Sequence, residues 1–289
     1  MKILLLIFLL LSHLNVNAQK KFPFGETYGK QKCELPKETI LEQAQMEFIY
    51  NHLTLDPEIN KTDEEYDILM VGKTYCLYKG YFQHRLDSVL QQLDRNNITN
   101  REYFDIYSKI DNEKMRSDSY IITHNFSGKI EVHENMTPDY YLYEEPRIDF
   151  KWKLVEDTRK VCGHTCNKAT CTFRGRKWAA WYAVDIPQSQ GPWKFSGLPG
   201  MILLIEDSKR EHVFTAISIR TGTKNCLISQ FDHGDFKTNR KWFNKAKKDH
   251  ELNFFNNVRT TGVTIKNADG SDVQQPKKRP FVFNPIEKE

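Results

Sequence analysis

Two thiols and an imidazole lie at alternate positions in the stretch CGHTC, residues 162–166. Alternate residues of a β-strand point to the same face, so Cys162, His164 and Cys166 could converge on a soft metal ion. Side chains two residues apart on a flat strand are separated by about 7 Å, too far for short metal bonds. The C-x-x-x-C spacing also differs from the C-x-x-C motif of thiol-disulfide oxidoreductases. We therefore expect neither a metal nor a cofactor here and favour a structural disulfide.

All six cysteines are disulfide candidates, because their number is even and each follows the secretory leader described below. If residues 161–173 form one extended strand, Cys162 and Cys166 are about 13 Å apart, at roughly 3.3 Å per residue. Bonded cysteines need Cα atoms closer than about 7 Å, so each should bond a distant cysteine unless Gly163 bends the chain. The candidates are Cys33, Cys76, Cys162, Cys166, Cys171 and Cys226.

The first eighteen residues, MKILLLIFLLLSHLNVNA, have the pattern of a secretory signal peptide. Lys2 supplies the positive charge, an apolar run follows, and Val16 and Ala18 form a small-residue cleavage site. The run is too short to span a bilayer and no later run reaches about eighteen residues, so no transmembrane segment is expected. Residues 19–289 are predicted to be exported to the periplasm or associated with the outer membrane. A net charge of only +4 and an exported location argue against nucleic acid as a partner.

No local motif for catalysis is present. Ser196 lies in KFSGLPG, where Lys194 stands at the first glycine position of G-x-S-x-G and a β-run follows instead of a helix. A phosphate loop, a dinucleotide fingerprint and a zinc-protease helix are also absent from the sequence. We predict no catalytic residue. The alternative is an envelope hydrolase or thiol enzyme whose site assembles from distant residues, with His124, His133 and His164 as candidate bases.

The pattern of apolar and turn residues predicts a mainly β (α+β) single domain over 19–289, built on a curved antiparallel sheet with one or two packing helices. Gly175 in FRGRKW is predicted to turn a hairpin. One helix is predicted over 84–94 and a more polar one over 238–258, with Thr238 as N-cap. Residues 95–117 are predicted to be a polar insertion loop with a short helical turn. The predicted strands lie within 64–80, 118–135, 147–173, 177–185, 201–207 and 212–220.

Aromatic residues cluster next to a loop rich in glycine and proline. Trp178 and Trp181 face opposite ways on one strand, so at least one is expected to lie away from the main core or under a loop. Two interpretations are open: a packed aromatic layer beneath the loop 186–197, or an aromatic-lined groove that binds an apolar or peptide ligand. The candidate binding residues are Trp178, Trp181, Trp193, Phe195, Gly197, Leu198, Pro199 and Gly200.

Three blocks of sequence together resemble the GLPGLI family of exported Bacteroidota proteins. They are FRGRKWAAWYAVDIP at 173–187, GPWKFSGLPGMIL at 191–203 and the closing NPIE at 284–287. Met201 stands where the motif that names the family has leucine. The function of that family is uncharacterised, so the resemblance implies export, a Gram-negative envelope and one domain, and it implies no catalytic residue.

The Gly/Pro loop is interpreted as shaping the fold and the surface rather than performing chemistry. Gly191, Gly197 and Gly200 are expected at backbone positions with unusual dihedrals, and the two prolines stiffen the path into the next strand. We predict a non-catalytic envelope protein that uses Trp181, Trp193 and the GLPG loop to bind an unidentified envelope protein or a peptide-like, apolar ligand.

Overall fold

The computed structural model describes residues 25–110, 119–136, 139–222, 226–253 and 282–288, and the predicted signal peptide over 1–18 lies outside them. Within these ranges no helix is long and apolar enough to cross a membrane. The helices are α1 (Glu26–Gly29), α2 (Tyr81–Gln91), α3 (Asn100–Ile110) and α4 (Arg240–Leu252). The strands are β1 (Lys37–Gln43), β2 (Met46–Asp56), β3 (Lys61–Val71), β4 (Tyr75–Gly80), β5 (Tyr120–His124), β6 (Ile130–Met136), β7 (Asp139–Glu145), β8 (Lys153–Val161), β9 (His164–Phe173), β10 (Arg176–Ala183), β11 (Met201–Asp207), β12 (His212–Thr221), β13 (Leu227–Asp232) and β14 (Phe236–Thr238).

Twelve of these strands form one sheet, in the order β14-β7-β6-β5-β4-β3-β2-β12-β11-β10-β9-β8, and β1 pairs with β13 in a second sheet. Strand β14 runs parallel to β7, whereas the pairs from β7 to β8 are antiparallel. The large sheet is curved. The curvature is seen from the ion pair between Glu145, at the end of β7, and Arg174, which lies in the turn between β9 and β10 near the opposite edge. The predicted fold class, a mainly β domain on a curved antiparallel sheet, is confirmed.

Two hairpins are set by two-residue turns in which both residues have positive φ. Arg174 and Gly175, with φ of 42° and 77°, join β9 to β10 at the predicted position. Cys162 and Gly163, with φ of 48° and 86°, join β8 to β9. Positive φ at both positions is the requirement of a type I′ turn, whose twist matches that of the paired strands. One extended strand over 161–173 is therefore wrong, since the chain reverses at Gly163.

Three clusters of buried side chains form the core. The largest joins both halves of the curved sheet and includes Leu69 and Trp178. The second lies between the large sheet and the β1–β13 sheet and includes Ile68 and Ile228. Adjacent residues of β3 thus belong to different clusters, so this strand is buried on both faces. The third cluster packs α2 and α3 together through residues such as Leu86.

The helices begin close to, but not at, the predicted residues. Helix α2 covers most of the predicted 84–94. Asn239 caps α4 by accepting a hydrogen bond from the Trp242 backbone N–H at 3.0 Å, so the N-cap predicted at Thr238 is one residue off.

The predicted insertion loop over 95–117 instead contains the three-turn helix α3, and its residues 111–117 lie outside the described residues. A capping box starts this helix: Thr99 N–H donates to Glu102 Oε2 at 2.8 Å and Glu102 N–H donates to Thr99 Oγ1 at 3.3 Å.

The three glycines of the Gly/Pro loop serve two different purposes. Gly197 has φ of +94°, a conformation that side chains disfavour. A Cβ on Gly200 would lie 2.3 Å from the Ala183 carbonyl oxygen, and one on Gly191 would lie 2.9 Å from Ile202 Cβ. Unusual dihedrals were expected at all three, but Gly191 and Gly200 are needed because another part of the chain approaches closely.

We expect Gly200→Ala to lower the free energy of unfolding by roughly 1–3 kcal/mol, since the methyl group would be forced against backbone that cannot turn aside. The measurement is urea unfolding. Gly25→Ala is the matched control, because a Cβ there meets nothing within 4 Å and the backbone is extended, with φ of −60°. Equal stability of the two variants would contradict the proposed close contact.

Candidate functional site

A cleft of about 200 Å³ opens beside the strands β2 to β6. Its lining mixes aromatic, aliphatic and ionisable side chains from these strands, such as His52, Asp67 and Val132. Trp193 from the Gly/Pro loop, Lys247 from α4 and Ile286 from the C-terminal segment complete it. Such a mixture of apolar surface with a few polar groups is typical of a site for a small organic ligand.

Trp193 is the strained element of the cleft. Its φ of 56° places a large aromatic residue in the left-handed region, which is uncommon for residues other than glycine, asparagine and aspartate. The indole is half-buried, 5.1 Å from the Phe195 ring and 6.2 Å from the Phe173 ring between centroids. A conformation of this kind costs of order 1–3 kcal/mol and persists only when the surrounding structure enforces it.

The enforcing contacts come from the next residue, Lys194, whose side chain is only 1% exposed. Its Nζ lies 2.6 Å from Glu145 Oε2 and 2.8 Å from Glu287 Oε1. Arg174 pairs with both glutamates, and Arg240 lies 2.9 Å from Glu287 Oε2 and 3.3 Å from Glu145 Oε1. These five residues, the Lys194 cluster, join the Gly/Pro loop to β7, to the β9–β10 turn, to α4 and to the C-terminal segment.

Arg176 makes a second buried attachment to the same C-terminal segment. Its side chain is 1% exposed, and all five guanidinium N–H donors have acceptors. The acceptors are Asp207 Oδ2 at 2.9 Å, Glu211 Oε2 at 2.7 Å, Asn284 Oδ1 at 2.7 Å, the Pro285 carbonyl at 2.8 Å and the Ile286 carbonyl at 3.0 Å. The NPIE motif is therefore held by Arg176 through its first three residues and by the Lys194 cluster through its glutamate.

A chain of polar side chains leads from the cleft into the core. Tyr78 OH donates to Asp67 Oδ2 at 2.5 Å, and the same carboxylate oxygen lies 3.4 Å from His52 Nδ1. His52 Nε2 lies 3.2 Å from His212 Nδ1 and 3.1 Å from Thr54 Oγ1. A carboxylate only accepts hydrogen bonds, so this geometry favours His52 with its proton on Nδ1 and an accepting Nε2.

His212 ends this chain in an apolar setting. It is 2% exposed and its Nε2 has no hydrogen-bond partner within the described part of the chain. Burial is the main cause that holds the pKa of His212 well below its ordinary value of 6.5, and the positive charge of Arg176 lowers it further. The ring is therefore neutral at physiological pH.

His133 is the one predicted candidate base that lines the cleft. Its Nδ1 lies 2.6 Å from Asp235 Oδ2 and its Nε2 lies 3.8 Å from Glu131 Oε2. Burial lowers the pKa of His133, but the two carboxylates outweigh burial and raise it above 6.5. His124 instead contacts Glu131 at 2.8 Å, and His164 contacts the exposed Asp185 at 2.7 Å.

The aromatic residues predicted to bind are mostly core. Among the described residues that line the cleft, Trp193 is the single member of the predicted set. Trp178 is buried against the Phe195 ring at 4.7 Å. Trp181 faces the other side of β10, covered by Arg159 at 4.8 Å and by a neighbouring lysine. Of the remaining residues, Leu198 and Gly200 are buried, whereas Gly197 and Pro199 are exposed beside the loop.

The structure does not contain the disulfides that the sequence predicts, since all six cysteines are free thiols. They are dispersed: Cys33 and Cys226 lie in different core clusters, and Cys76 and Cys171 lie opposite Thr123 and Trp178 rather than another cysteine. Cys162 is exposed in the β8–β9 turn.

Burial raises the pKa of four thiols: to about 11 for Cys33 and Cys166, and to about 12 for Cys76 and Cys171. These four are therefore protonated and poor nucleophiles at neutral pH. Within the described residues, no three His, Cys, Asp or Glu side chains are grouped to hold a metal ion.

Comparison with known proteins gives a family match over a short segment and similarities to solved structures. A family model described as a protein of unknown function (Porph_ging) matches residues 174–204. The chain is also similar to PNGF-II in two crystal forms, with TM-scores of 0.49 and 0.47 at 11% and 12% identity. In both cases 73% of this chain and 34% of the PNGF-II chain are covered, so the chain spans about a third of that protein. No curated protein matches.

The polar cleft residues were not found from the sequence. His52, Asp67 and Tyr78 lie on β2, β3 and β4, and no local sequence pattern distinguishes them from other strand residues. Their meeting depends on strand register, with Tyr50 opposite Asp67 and Leu69 opposite Tyr78. The sequence did contain a signal for the Lys194 cluster, because each of the three motif blocks includes a charged residue of the cluster: Arg174, Lys194 and Glu287.

We expect Lys194→Met to lower the free energy of unfolding by roughly 3–5 kcal/mol, because it leaves two buried glutamates with one cation fewer. Urea unfolding measures the change. The control is Lys151→Met, which removes an ion pair whose side chains are 83% and 67% exposed and should leave the unfolding midpoint unchanged. Equal midpoints for the two variants would show that the Lys194 cluster does not stabilise the fold.

The stability of the wild-type protein should fall as pH decreases below about 6.5. The folded pKa of His212 is lowered, so the unfolded chain binds the extra proton first and the slope from this group reaches about 1.4 kcal/mol per pH unit. His212→Gln should make the dependence shallower between pH 6.5 and 5. Denaturant unfolding at several pH values measures it, and an unchanged slope in the variant would refute the neutral, buried assignment.

Proposed function

We propose that this protein is an exported envelope protein of the GLPGLI type, located in the periplasm or at the outer membrane, that binds a peptide-like ligand with an apolar side chain. The leader pattern over 1–18 and the three motif blocks support export and the family. The Porph_ging match over 174–204 is compatible with this assignment, but it identifies only a family of unknown function.

The observation that carries the binding proposal is the position of Trp193. A half-buried indole is held in a strained conformation at the cleft, while its neighbours Phe195 and Trp178 are fully packed. Residues with strained backbone cluster at binding and catalytic sites, so the conformation of Trp193 motivates a functional hypothesis for this side chain. An aromatic side chain offers a large apolar contact at low entropic cost.

The rest of the lining suits a peptide-like ligand better than a purely apolar one. Ile121 and Val132 supply aliphatic surface, and Gln83 supplies an amide that can donate and accept hydrogen bonds, because only one of its N–H groups is used on Asp87. Main-chain amides of a peptide need both kinds of partner, and an apolar side chain of the ligand would fill the space next to Trp193.

The test is saturation-transfer NMR with N-acetylated tripeptide amides that carry Leu, Phe or Ser at the centre. We expect transfer to the Leu and Phe peptides, at least about tenfold weaker affinity in Trp193→Gly, and unchanged binding in Trp242→Ala. Glycine is chosen because it adopts positive φ without strain, so the loop keeps its path. Trp242 is the matched control, 48% exposed on α4. Binding that is absent in the wild type or unaffected in Trp193→Gly would overturn the proposal.

A hydrolase is the second candidate, and the placement of His133 in the cleft favours it. Asp235 Oδ2 holds Nδ1 at 2.6 Å, Glu131 Oε2 lies 3.8 Å from Nε2, and the pKa is raised, so His133 is suited to donate a proton rather than to accept one. Cleavage of the same tripeptide amides during the NMR assay, abolished in His133→Gln, would replace the binding proposal with this one.

A further inference from the structure

Strand β8 is an open edge of the large sheet. It is the last strand in the sheet order and pairs only with β9 among the described strands. Eight of its nine residues are exposed, including Leu154 at 66% and Val155 at 40%. An exposed edge of this length presents unpaired backbone N–H and C=O groups and is a template for another strand.

The alternation of side chains along β8 is regular despite a bulge. Val155 lies opposite Lys168 and Thr158 lies opposite Asn167, so Glu156 and Asp157 have no backbone register partner on β9, although the Asp157 side chain accepts a hydrogen bond from Lys168 Nζ at 2.8 Å. Lys168 and Asn167 are adjacent, so their side chains point to opposite faces of the sheet. Their partners Val155 and Thr158 must therefore also point to opposite faces, and a spacing of three residues allows this with regular alternation. The side chains at 156, 158 and 160 therefore share one face, and those at 157 and 159 share the other.

The charges of β8 are complementary to those of a second copy of β8 that runs antiparallel to it. Two antiparallel copies of β8 can form one continuous sheet about a two-fold axis perpendicular to it. Directly opposite residues must have their side chains on the same side of the sheet, so the axis lies where one residue is opposite its own copy. With the axis at Thr158, Glu156 faces Lys160 of the second copy and Asp157 faces Arg159 of the second copy. All four charged residues over 156–160 then face an opposite charge of the second copy. Within its own chain Asp157 also pairs with Lys168 and Arg159 packs on Trp181, so Glu156 and Lys160 carry the test of the register.

The neighbouring registers are each penalised. An axis at Asp157 brings two aspartates together and leaves Val155 opposite Arg159. An axis at Arg159 brings two arginines together and leaves Asp157 opposite Val161. Like charges directly opposite each other destabilise a strand pair, whereas opposite charges stabilise it. Among these three registers, charge favours the one with its axis at Thr158.

We propose that β8 pairs antiparallel with β8 of a second copy of this chain, about a two-fold axis at Thr158, so that two sheets become one. Val155 then lies opposite Val161 of the second copy, which covers part of the exposed apolar edge. The surface is distinct from the cleft, so dimerisation and ligand binding can be tested separately.

Charge reversal tests the register. Sedimentation equilibrium of the purified protein should show a monomer–dimer equilibrium. Glu156→Lys and Lys160→Glu each create two like-charge contacts and should raise the dimer dissociation constant at least about tenfold. The double variant restores opposite charges and should return the constant to near the wild-type value. That recovery separates lost pairing from lost folding. Lys177→Glu, an exposed reversal on β10, is the control and should not alter the constant.

A cross-link tests the axis. In Thr158→Cys the two introduced cysteines face each other and should form an intermolecular disulfide between identical peptides, identified by mass spectrometry. A protein that is monomeric at every concentration, or a dimer that survives both single reversals and gives no such peptide, would overturn the proposal. If β8 instead pairs with a different protein, the purified chain would be monomeric at every concentration.

Discussion

The burial of Lys194 between two glutamates is the interaction on which the rest of the structure depends. Its ammonium group can be buried only because Glu145 and Glu287 come to it, one from β7 and the other from the C-terminal segment. The desolvation of three cations and two carboxylates is offset only if every partner is present. The cluster therefore requires the sheet to be curved and the chain end to return across it. Loss of one partner leaves an uncompensated buried charge.

The same cluster accounts for the strained backbone at the cleft. Lys194 must point into the fold, and Phe195 must pack on Trp178, so the residue before them has little choice of direction. Trp193 takes the positive φ that results, and its ring is left half-buried at the cleft. A buried charge network thereby positions an aromatic side chain at the cleft without lining the cleft itself.

Local features of the fold could be predicted from the sequence, and long-range ones could not. The hairpin at Gly175 and strand β11 follow from turn chemistry and an apolar run, both of which act within a few residues. Helix α3 was missed although Thr99 and Glu102 form a capping box that the sequence displays. The meeting of His52 with His212 follows from strand order in a twelve-stranded sheet, which no local pattern specifies. The disulfide prediction rested on compartment and number, whereas strand pairing places Cys76 opposite Thr123 and Cys171 opposite Trp178.

The residues matched by the family model divide into those that build the fold and those that meet the cleft. The match over 174–204 contains Arg174, Arg176 and Lys194, which hold the C-terminal segment and the loop. Trp193 is its only described residue at the cleft, since the other lining residues lie on β2 to β6, in α2, in α4 and near the C-terminus. A protein could keep the matched block and exchange most of the cleft lining. The matched block therefore holds the loop and the C-terminal segment, and the side chains that line most of the cleft come from strands and helices outside it.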